Sequence, residues 1–563
     1  MMVDAWRNSC LFYLTVALAV VFSSVLPALA DDRPNILLIV ADDLAYSDLG
    51  AYGGEIETPV LDALAEEGLQ FTNFYVLPTC SPTRSALMSG NTNHVAGMGV
   101  MAEFIYSEIE GRAGYEGYLS DQIAALPEIL RDAGYHTYMA GKWHLGSSDE
   151  RAPFRRGFEQ TFALMDGGGS HWADMHPLTP LEPMIYRRNG ERIDMLPADF
   201  YSTRNYTDEL ISFIDADRNS NKPFFAYLSY TAPHDPLHAP EEYVRKYAGR
   251  YDKGWNELLA ARVDALQEIG VIPKPLVIPS NFLAQDWTSL TEDSQKLFAR
   301  DMEVYAAMVD YMDMSIGRLL NYLRDIEEYE NTVIVFMSDN GPNGAHATAY
   351  PGNADGEFLG TFDNSLENRG LPGSFIDMGP GWARATAAPF RFFKSFTSEG
   401  GIRAPLIVSH PYSQNENNGL VPAFVHVTDL LPTFLEMAEA QYPSSQNGRE
   451  VIPPIGTSLM PILAGSANSM RFGDGIGYEL FEMKAFIEDG WKISRMPAPF
   501  GTGNWELFDL RTDPGETSNL AVDAPERLTD LVSKWETFAA ENGVFDHKGH
   551  FDEIYRRIYG TGD

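Results

Sequence analysis

Cysteine is almost missing from this chain. Its 563 residues include two, Cys10 and Cys80. Cys10 lies in an apolar N-terminal stretch, so Cys80 stands alone in the remainder of the chain. A lone cysteine forms no internal disulfide and serves either as a small apolar filler or as a chemical device. Basic residues are also scarce: 41 Lys and Arg face 79 Asp and Glu, a formal charge of −38. Without a basic stripe to neutralise phosphates, nucleic acid is excluded as a partner. An anionic small molecule is not excluded, because local cations and a metal reverse the field within one cleft. Beyond the N-terminal stretch no apolar run is long enough to span a bilayer. Internal repeats and low-complexity tracts are missing as well. With 44% hydrophobic and 12% aromatic residues the chain is globular rather than disordered.

The N-terminus has the grammar of an export signal. Arg7 precedes the apolar stretch from Leu11 to Val25, which Ser23 and Ser24 interrupt, and Ala28-Leu29-Ala30 offers a small-x-small cleavage site. Residues 1–30 are therefore expected to be a signal peptide, with Asp31-Asp32 opening a mature chain that is periplasmic or secreted and free of the membrane. The length calls for a large domain and a smaller second one.

Four apolar, β-rich runs end in polar or charged residues. Ile36 to Ala41 leads into Asp42-Asp43, Tyr135 to Ala140 into Gly141-Lys142-Trp143-His144, Phe224 to Tyr230 into Thr231-Ala232-Pro233-His234, and Thr332 to Ser338 into Asp339-Asn340-Gly341. Such runs fit strands buried on both faces of a mostly parallel sheet. Amphipathic stretches at Thr58 to Glu67, Asp121 to Ala133 and Met302 to Ile326 are expected to be helices between them. Arg245 to Thr291 is mostly helical in pattern, and Gly341 to Ala388 reads as a long cleft-lining loop. The alternation gives an α/β fold whose active site gathers beyond the carboxyl ends of the strands. After Gly465 short strands and turns, followed by a helix near Pro525 to Glu541, predict a C-terminal α+β domain with an antiparallel sheet. The expected division is 31–465 for the catalytic domain and 466–563 for the second.

Asp42, Asp43, Asp339 and Asn340 form an all-oxygen donor set suited to Ca²⁺ or Mg²⁺. Cys80-Ser81-Pro82-Thr83-Arg84-Ser85-Ala86 places proline and arginine at fixed offsets from the lone cysteine. These motifs, in order with Gly-Lys-Trp-His, Ala-Pro-His, Ser-Asp-Asn-Gly and Lys394 ahead of Gly400-Gly401-Ile402-Arg403, make the chain similar to the type I sulfatases of the alkaline phosphatase superfamily. The bacterial arylsulfatases are the nearest in pattern, through Lys246 to Asp252 and Trp505 to Leu510 followed by Asp513-Pro514-Gly515-Glu516.

The resemblance implies an alkaline-phosphatase-like large domain with a mostly parallel or mixed central sheet, and a metal-dependent hydrolase of sulfate monoesters, aryl sulfates foremost. It implies that a separate maturation enzyme oxidises Cys80 to formylglycine (3-oxoalanine), whose hydrated aldehyde attacks sulfur and then expels sulfate by C–O cleavage. Asp42, Asp43, Asp339, Asn340 and the modified Cys80 would hold the metal, calcium rather than magnesium. Arg84 and Lys142 would hold the nucleophile and metal side, and His144 would take the second hydroxyl proton. His234 and Lys394 would hold sulfate oxygens and assist the departing alcohol. His171, Trp172, His238, Arg403 and Asn93 are candidates for the pocket rim or its support. The protein is expected to act as a monomer. A phosphonate or phosphate ester hydrolase, a sulfatase of carbohydrates and a silent binding protein with an unmodified cysteine are the alternatives.

Overall fold

Asn-Ile-Leu-Leu-Ile-Val-Ala at residues 35–41 is apolar at every inner position, and successive side chains of a strand point to opposite faces. Both faces must therefore be covered. In the computed structural model, which describes residues 32–280, 282–409, 419–467, 475–546 and Tyr555, this segment is strand β1 at the centre of a ten-stranded sheet. The expected signal peptide at 1–30 lies outside the described residues. Leu37 and Ile39 pack into the core on one face, and Ile36, Leu38 and Val40 into the core on the other.

The other strands of the sheet are β2 (Leu69–Tyr75), β3 (His136–Lys142), β4 (Gln160–Leu164), β5 (Tyr186–Arg188), β6 (Glu191–Ile193), β7 (Phe224–Ser229), β8 (Thr332–Ser338), β9 (Arg403–Ser409) and β10 (Leu420–His426). Their order is β10-β2-β9-β8-β1-β7-β3-β4-β5-β6. The β8-β1-β7-β3-β4 block and the β10-β2 pair are parallel, while β9 runs antiparallel to both β2 and β8. The sheet is thus mixed and mostly parallel, as its buried, non-alternating strands require. Register aligns Ala41 with Ser338, Val40 with Ser229, and Ser229 with Gly141, so β1, β8, β7 and β3 end on one rim. That rim is where the four polar clusters emerge.

Helices cover both faces. Helix Glu292–Asp325 begins ten residues before the expected Met302, because Thr291 caps it by accepting a hydrogen bond from the Ser294 amide. Its Asp313 carboxylate accepts from the Val60 and Leu61 amides and so caps helix Pro59–Glu67 from another element. Helix Leu126–Asp132 is shorter than the Asp121 to Ala133 expectation, since Pro127 belongs in a first turn and sets the start there. The region from Arg245 to Thr291 holds the end of helix Glu241–Lys246, helix Trp255–Glu268 and the 3₁₀ turn Trp287–Ser289, and is less helical than its pattern suggests, while the long segment after Gly341 carries helix Gly379–Thr386.

A two-residue ribbon, β11 (Ser445–Gln446) with β12 (Arg449–Glu450), precedes a separate antiparallel sheet of β13 (Ile476–Leu480), β14 (Met483–Glu488), β15 (Trp491–Arg495) and β16 (Glu506–Asp509). Helix Pro525–Glu541 packs Leu531 and Trp535 against Phe486, Ile493 and Leu507 of that sheet. Lys492 of β15 is fully buried and ion-paired at 3.0 Å with both Glu399 and Glu516, which ties the second sheet to the segment following Lys394. No helix among the described residues is long and apolar enough to cross a membrane.

Gly141 is the tightest glycine on this rim. Its φ is +116°, and a Cβ there would stand 1.8 Å from the Ser229 carbonyl oxygen of β7. Gly141→Ala should therefore separate β3 from β7 beside Lys142 and cost on the order of 3 kcal/mol. Thermal or urea unfolding of the variant against the parent checks this.

Candidate active site

The site is built from the turns beyond four strand ends and from one helix start. The Asp42 amide donates to the Ala232 carbonyl and the Asp339 amide to the Ala41 carbonyl, each at 3.1 Å, which locks the turns after β1, β7 and β8 together. Asp43 sits at φ +66°, a left-handed conformation that Asp tolerates better than most residues. Helix Cys80–Ser89 enters from beyond β2, with Cys80 at its first turn and Thr79 extended before it. The Ser395 amide donates to the Pro78 carbonyl at 2.7 Å, fastening the Lys394 turn to the approach of the Cys80 helix.

At the centre, buried carboxylates interlock with buried cations. Lys142 Nζ donates to Asp42 Oδ2 at 2.5 Å, and Lys394 Nζ stands 2.8 Å from Asp43 Oδ1 and 2.9 Å from its Oδ2. Arg84 grips Asp339 Oδ2 through Nε at 3.0 Å and Nη2 at 2.7 Å, and its Nη1 donates to Ser229 and to the Lys142 carbonyl. Asn340 Nδ2 donates to Asp43 Oδ1 at 2.6 Å. Burial opposes ionisation of every acid here. At Asp42 the Lys142 and Arg84 cations overcome it and hold the carboxyl well below the usual range. Asp339, pushed up by burial and by Asp42, reaches about 7. Burial would lower Lys394 and Lys142, but Asp43 and Asp42 respectively raise them, so both remain charged.

Two buried oxygens in this cluster lack hydrogen-bond partners, Asp42 Oδ1 and Asn340 Oδ1. Buried polar atoms seldom stay unpaired, and two carbonyl-type oxygens facing one cluster suit a hard cation. Ligand atoms of Asp42, Asp43, Cys80 and His234 all lie within 4.8 Å of one another. The donor set therefore fits a divalent cation, and it brings in His234 alongside Asp42, Asp43 and Cys80. Asp339 and Asn340 border the same cluster, paired with Arg84 and Asp43.

Above the cluster an open pocket of about 870 Å³ is lined by Cys80, His144, His234 and Lys394, together with Glu103, Asn343 and Tyr350. Burial drives the Cys80 thiol up to about 12 despite Lys142 and Lys394. It is a poor thiolate nucleophile as it stands. His144, at φ +56°, points Nε2 at Glu103 Oε1, 2.9 Å away, while its Nδ1 has no partner. Glu103 would be raised by burial, but His144 brings it down to about 2. The ionised carboxylate accepts the Nε2 proton and leaves Nδ1 as a lone pair. Burial outweighs Glu103 and sets His144 below its ordinary value, neutral at pH 7. His234 Nδ1 donates to the Asp235 carbonyl at 2.6 Å, leaving Nε2 to face Asp43 Oδ2 at 3.5 Å. Burial and Lys394 lower His234 to about 4.

The residues singled out by motif thus converge: Cys80, Arg84, Lys142, His144, His234, Lys394, Asp42, Asp43, Asp339 and Asn340 occupy one pocket and the charge cluster beneath it. Of the secondary candidates, His171 donates from Nε2 to the His234 carbonyl at 3.0 Å and His238 accepts from the His171 amide, so both support the site from behind. Trp172 packs on Tyr201 with ring centres 4.7 Å apart. Arg403 binds the Thr72 carbonyl, and Asn93 binds the Met98 carbonyl; neither reaches the pocket. Motif reading overlooked Glu103, Asp235, Asn343 and Tyr350. Tyr350 and Asn343 donate to the Asp235 carboxylate, which adjoins His234 in sequence and was the one available signal. Glu103 belongs to a short 3₁₀ turn without any motif.

Comparison with known proteins agrees with this geometry. The model of the Sulfatase family matches residues 34–440, and a model described as N-sulphoglucosamine sulphohydrolase, C-terminal, matches residues 390–537. An uncharacterized sulfatase of Schizosaccharomyces pombe is 43% identical over 91% of this chain and 94% of its own length. The arylsulfatase of Klebsiella aerogenes is 39% identical over 81% of this chain and 98% of its own. Among solved structures, Ps i-CgsB in complex with k-i-k-neocarrahexaose has a TM-score of 0.65 at 24% identity, covering 93% of this chain and 97% of that one, a likeness of fold.

Calcium titrated into chelator-treated protein should bind at this cluster. Asp43→Asn should weaken that binding by at least about tenfold. Titration calorimetry of the two proteins makes the comparison, and equal affinities would refute the assignment.

Proposed function

Because the chain belongs to the sulfatase family, we propose that it is an exported, metal-dependent hydrolase of sulfate monoesters, aryl sulfates foremost, working through formylglycine at position 80. The catalytic machinery is assigned to the expected 31–465 domain, and 466–563 to a supporting domain. The observation that carries this reading is Cys80 itself. It is a thiol raised to about 12, at the first turn of a helix, in a pocket it shares with Lys394, His144 and His234. A buried neutral thiol does no chemistry there, whereas the helix start and the surrounding cations favour negative charge at that point. Formylglycine at that position supplies a hydrated aldehyde, a nucleophile that releases sulfate without hydrolysis at sulfur. Asp42, Asp43, Asp339, Asn340 and position 80 would hold Ca²⁺, with His234 beside them, and the ion when bound withdraws charge from the transferring sulfuryl oxygens.

The remaining roles belong to side chains. Lys394 brings fixed positive charge to the sulfate end of the pocket, while Lys142, buried on Asp42, holds the nucleophile and metal side with Arg84. Arg84 holds the Asp339 carboxylate through Nε and Nη2. His144 accepts a proton at Nδ1, the nitrogen that Glu103 leaves unprotonated. His234, held by Asp235 and by His171, keeps its proton on Nδ1 and presents an unprotonated Nε2 beside the site, where it must take up a proton before it can hydrogen-bond sulfate or the leaving oxygen. Met101, Phe104, Leu178 and Met184 give the pocket an apolar wall, which supports an aryl group over a sugar.

The peptide carrying residue 80, taken from protein made in its own host, should have lost its thiol mass in favour of an aldehyde. Cys80→Ala should abolish sulfate release from 4-nitrophenyl sulfate with the fold intact. An unmodified thiol in fully active protein would end this reading. Turnover of sulfated sugars with no turnover of aryl esters would move the substrate to carbohydrates.

The acid limb of kcat/KM should fall below pH 6.5, because the base His144 is lowered from that value and stays neutral above its own. In Glu103→Gln the carboxylate no longer supports the imidazolium. The limb should move to still lower pH, and kcat should drop about tenfold as the tautomer loses its anchor. A limb moving upward would contradict the pairing.

A further inference from the structure

The pocket above position 80 is asymmetric in charge. Its lining combines apolar groups, Met101, Phe104, Leu178, Pro183, Met184 and Pro351, with three carboxylates, Glu103, Asp166 and Glu182. The basic residues lining it are Lys394, His144 and His234. Lys394 is committed to Asp43, His144 donates to Glu103, and His234 faces Asp43. Of these only Lys394 carries charge near pH 7, at the end next to the cluster where sulfate must bind, and the wall that receives the rest of the substrate has negative charge set in an apolar lining.

The three acids are structural neighbours. A Cβ on Gly167 would stand 3.2 Å from Glu103 Oε1 and 3.0 Å from the His144 ring, so the Asp166 turn lies directly against the Glu103–His144 pair. The Asp166 carboxylate accepts from the Ile185 amide at 2.7 Å, which fixes it beside the Glu182–Met184 segment. Burial pushes Asp166 up to about 6, and Glu103 and Glu182 add to the rise against that hydrogen bond. Glu182 is raised by burial and by Glu103. The overall charge of −38 deepens the same field.

Resting on the sulfate-ester reading above, we infer that the pocket selects sulfate esters whose leaving group is apolar and bears a positive charge or none, with Glu103, Asp166 and Glu182 turning away leaving groups that carry a further anion. A sulfate ester already brings one negative end, which Lys394 and the metal-holding cluster receive. A second anion on the leaving group would be carried into the acidic wall and repelled by its carboxylates. An ammonium group there would meet carboxylates in place of water. Highly sulfated or carboxylated saccharides are thus poor substrates, and sulfate esters of apolar phenols, or of phenols bearing an alkylammonium group, are favoured.

The test uses mature protein and phenyl sulfates that carry, para to the ester, a short alkyl arm ending in ammonium, methyl or carboxylate. The arm insulates the reacting oxygen, so leaving-group acidity is matched. The ammonium and methyl esters should exceed the carboxylate ester in kcat/KM by about tenfold at low salt, and the gap should shrink at high salt. Glu182→Lys, an exposed change outside the reacting groups, should raise kcat/KM for the carboxylate ester about fivefold and lower it for the ammonium ester. The methyl ester should be unchanged. Asp166→Asn, which keeps the acceptor for Ile185, should shift the series in the same direction. A flat or reversed charge series with normal turnover of the methyl ester overturns this inference alone. Failure to release sulfate from every ester, by protein shown to carry the aldehyde at position 80, overturns the sulfatase reading and this inference with it.

Discussion

Carboxylates stripped of water must be matched by cations or by metal, and that requirement governs how this molecule is put together. Asp42, Asp43 and Asp339 are all fully or almost fully buried. Each is met by a cation delivered from a distant part of the chain: Lys142 from β3, Lys394 from the turn before β9, and Arg84 from the Cys80 helix. Removing one member of such a set strands its partner and costs several kcal/mol. The cluster is consequently both a structural lock between elements and a concentrated field at the mouth of the Cys80 helix. The unpaired Asp42 and Asn340 oxygens mark where the balance is left open for a divalent ion.

The support behind this field follows the same logic. His171 and Asp235 set the tautomer and position of His234, while Glu103 sets those of His144. Farther out, Lys492 joins Glu399 and Glu516 in a fully buried pairing. That contact anchors the C-terminal sheet against the segment that carries Lys394. Rigidity near Lys394 is thus supplied partly by residues more than ninety positions away, as a preorganised site requires. The pocket wall shows the opposite choice. Its acids are held by hydrogen bonds, Glu103 to His144 and Asp166 to the Ile185 amide, and among the described residues no lysine or arginine lines the pocket beside them.

Much of the fold was legible because buried parallel strands leave a plain trace. Thr332 to Ser338 and Pro525 to Glu541 coincide with their observed elements, and the strand beginning at Phe224 differs by one residue at its end. Boundaries failed where a cap or a proline decided them, as at Thr291 and Pro127. The hairpin of β5 and β6 and the antiparallel insertion of β9 were not foreseen, since short strands and strand direction leave no periodicity. Similarly, Glu103 carries no motif. It reaches His144 through a turn whose placement depends on the packing of Phe104 against Phe481 and its neighbours.

Local chemistry lies in the sequence. The lone Cys80 ahead of Pro82 and Arg84, Asp42-Asp43 and Asp339-Asn340 at strand ends and the lysine–histidine turn after β3 indicate the type of reaction through their resemblance to the sulfatase motifs. Only the tertiary structure decided which groups face one another. It brought His234 into the metal-fitting set, turned Arg403 and Asn93 away from the pocket, and set Glu103, Asp166 and Glu182 together on one wall. The reason is physical. Residue identity determines charge, donor type and intrinsic reactivity, whereas distance and dielectric, which govern how strongly those groups act on one another, arise when strands in register bring remote segments to a common rim.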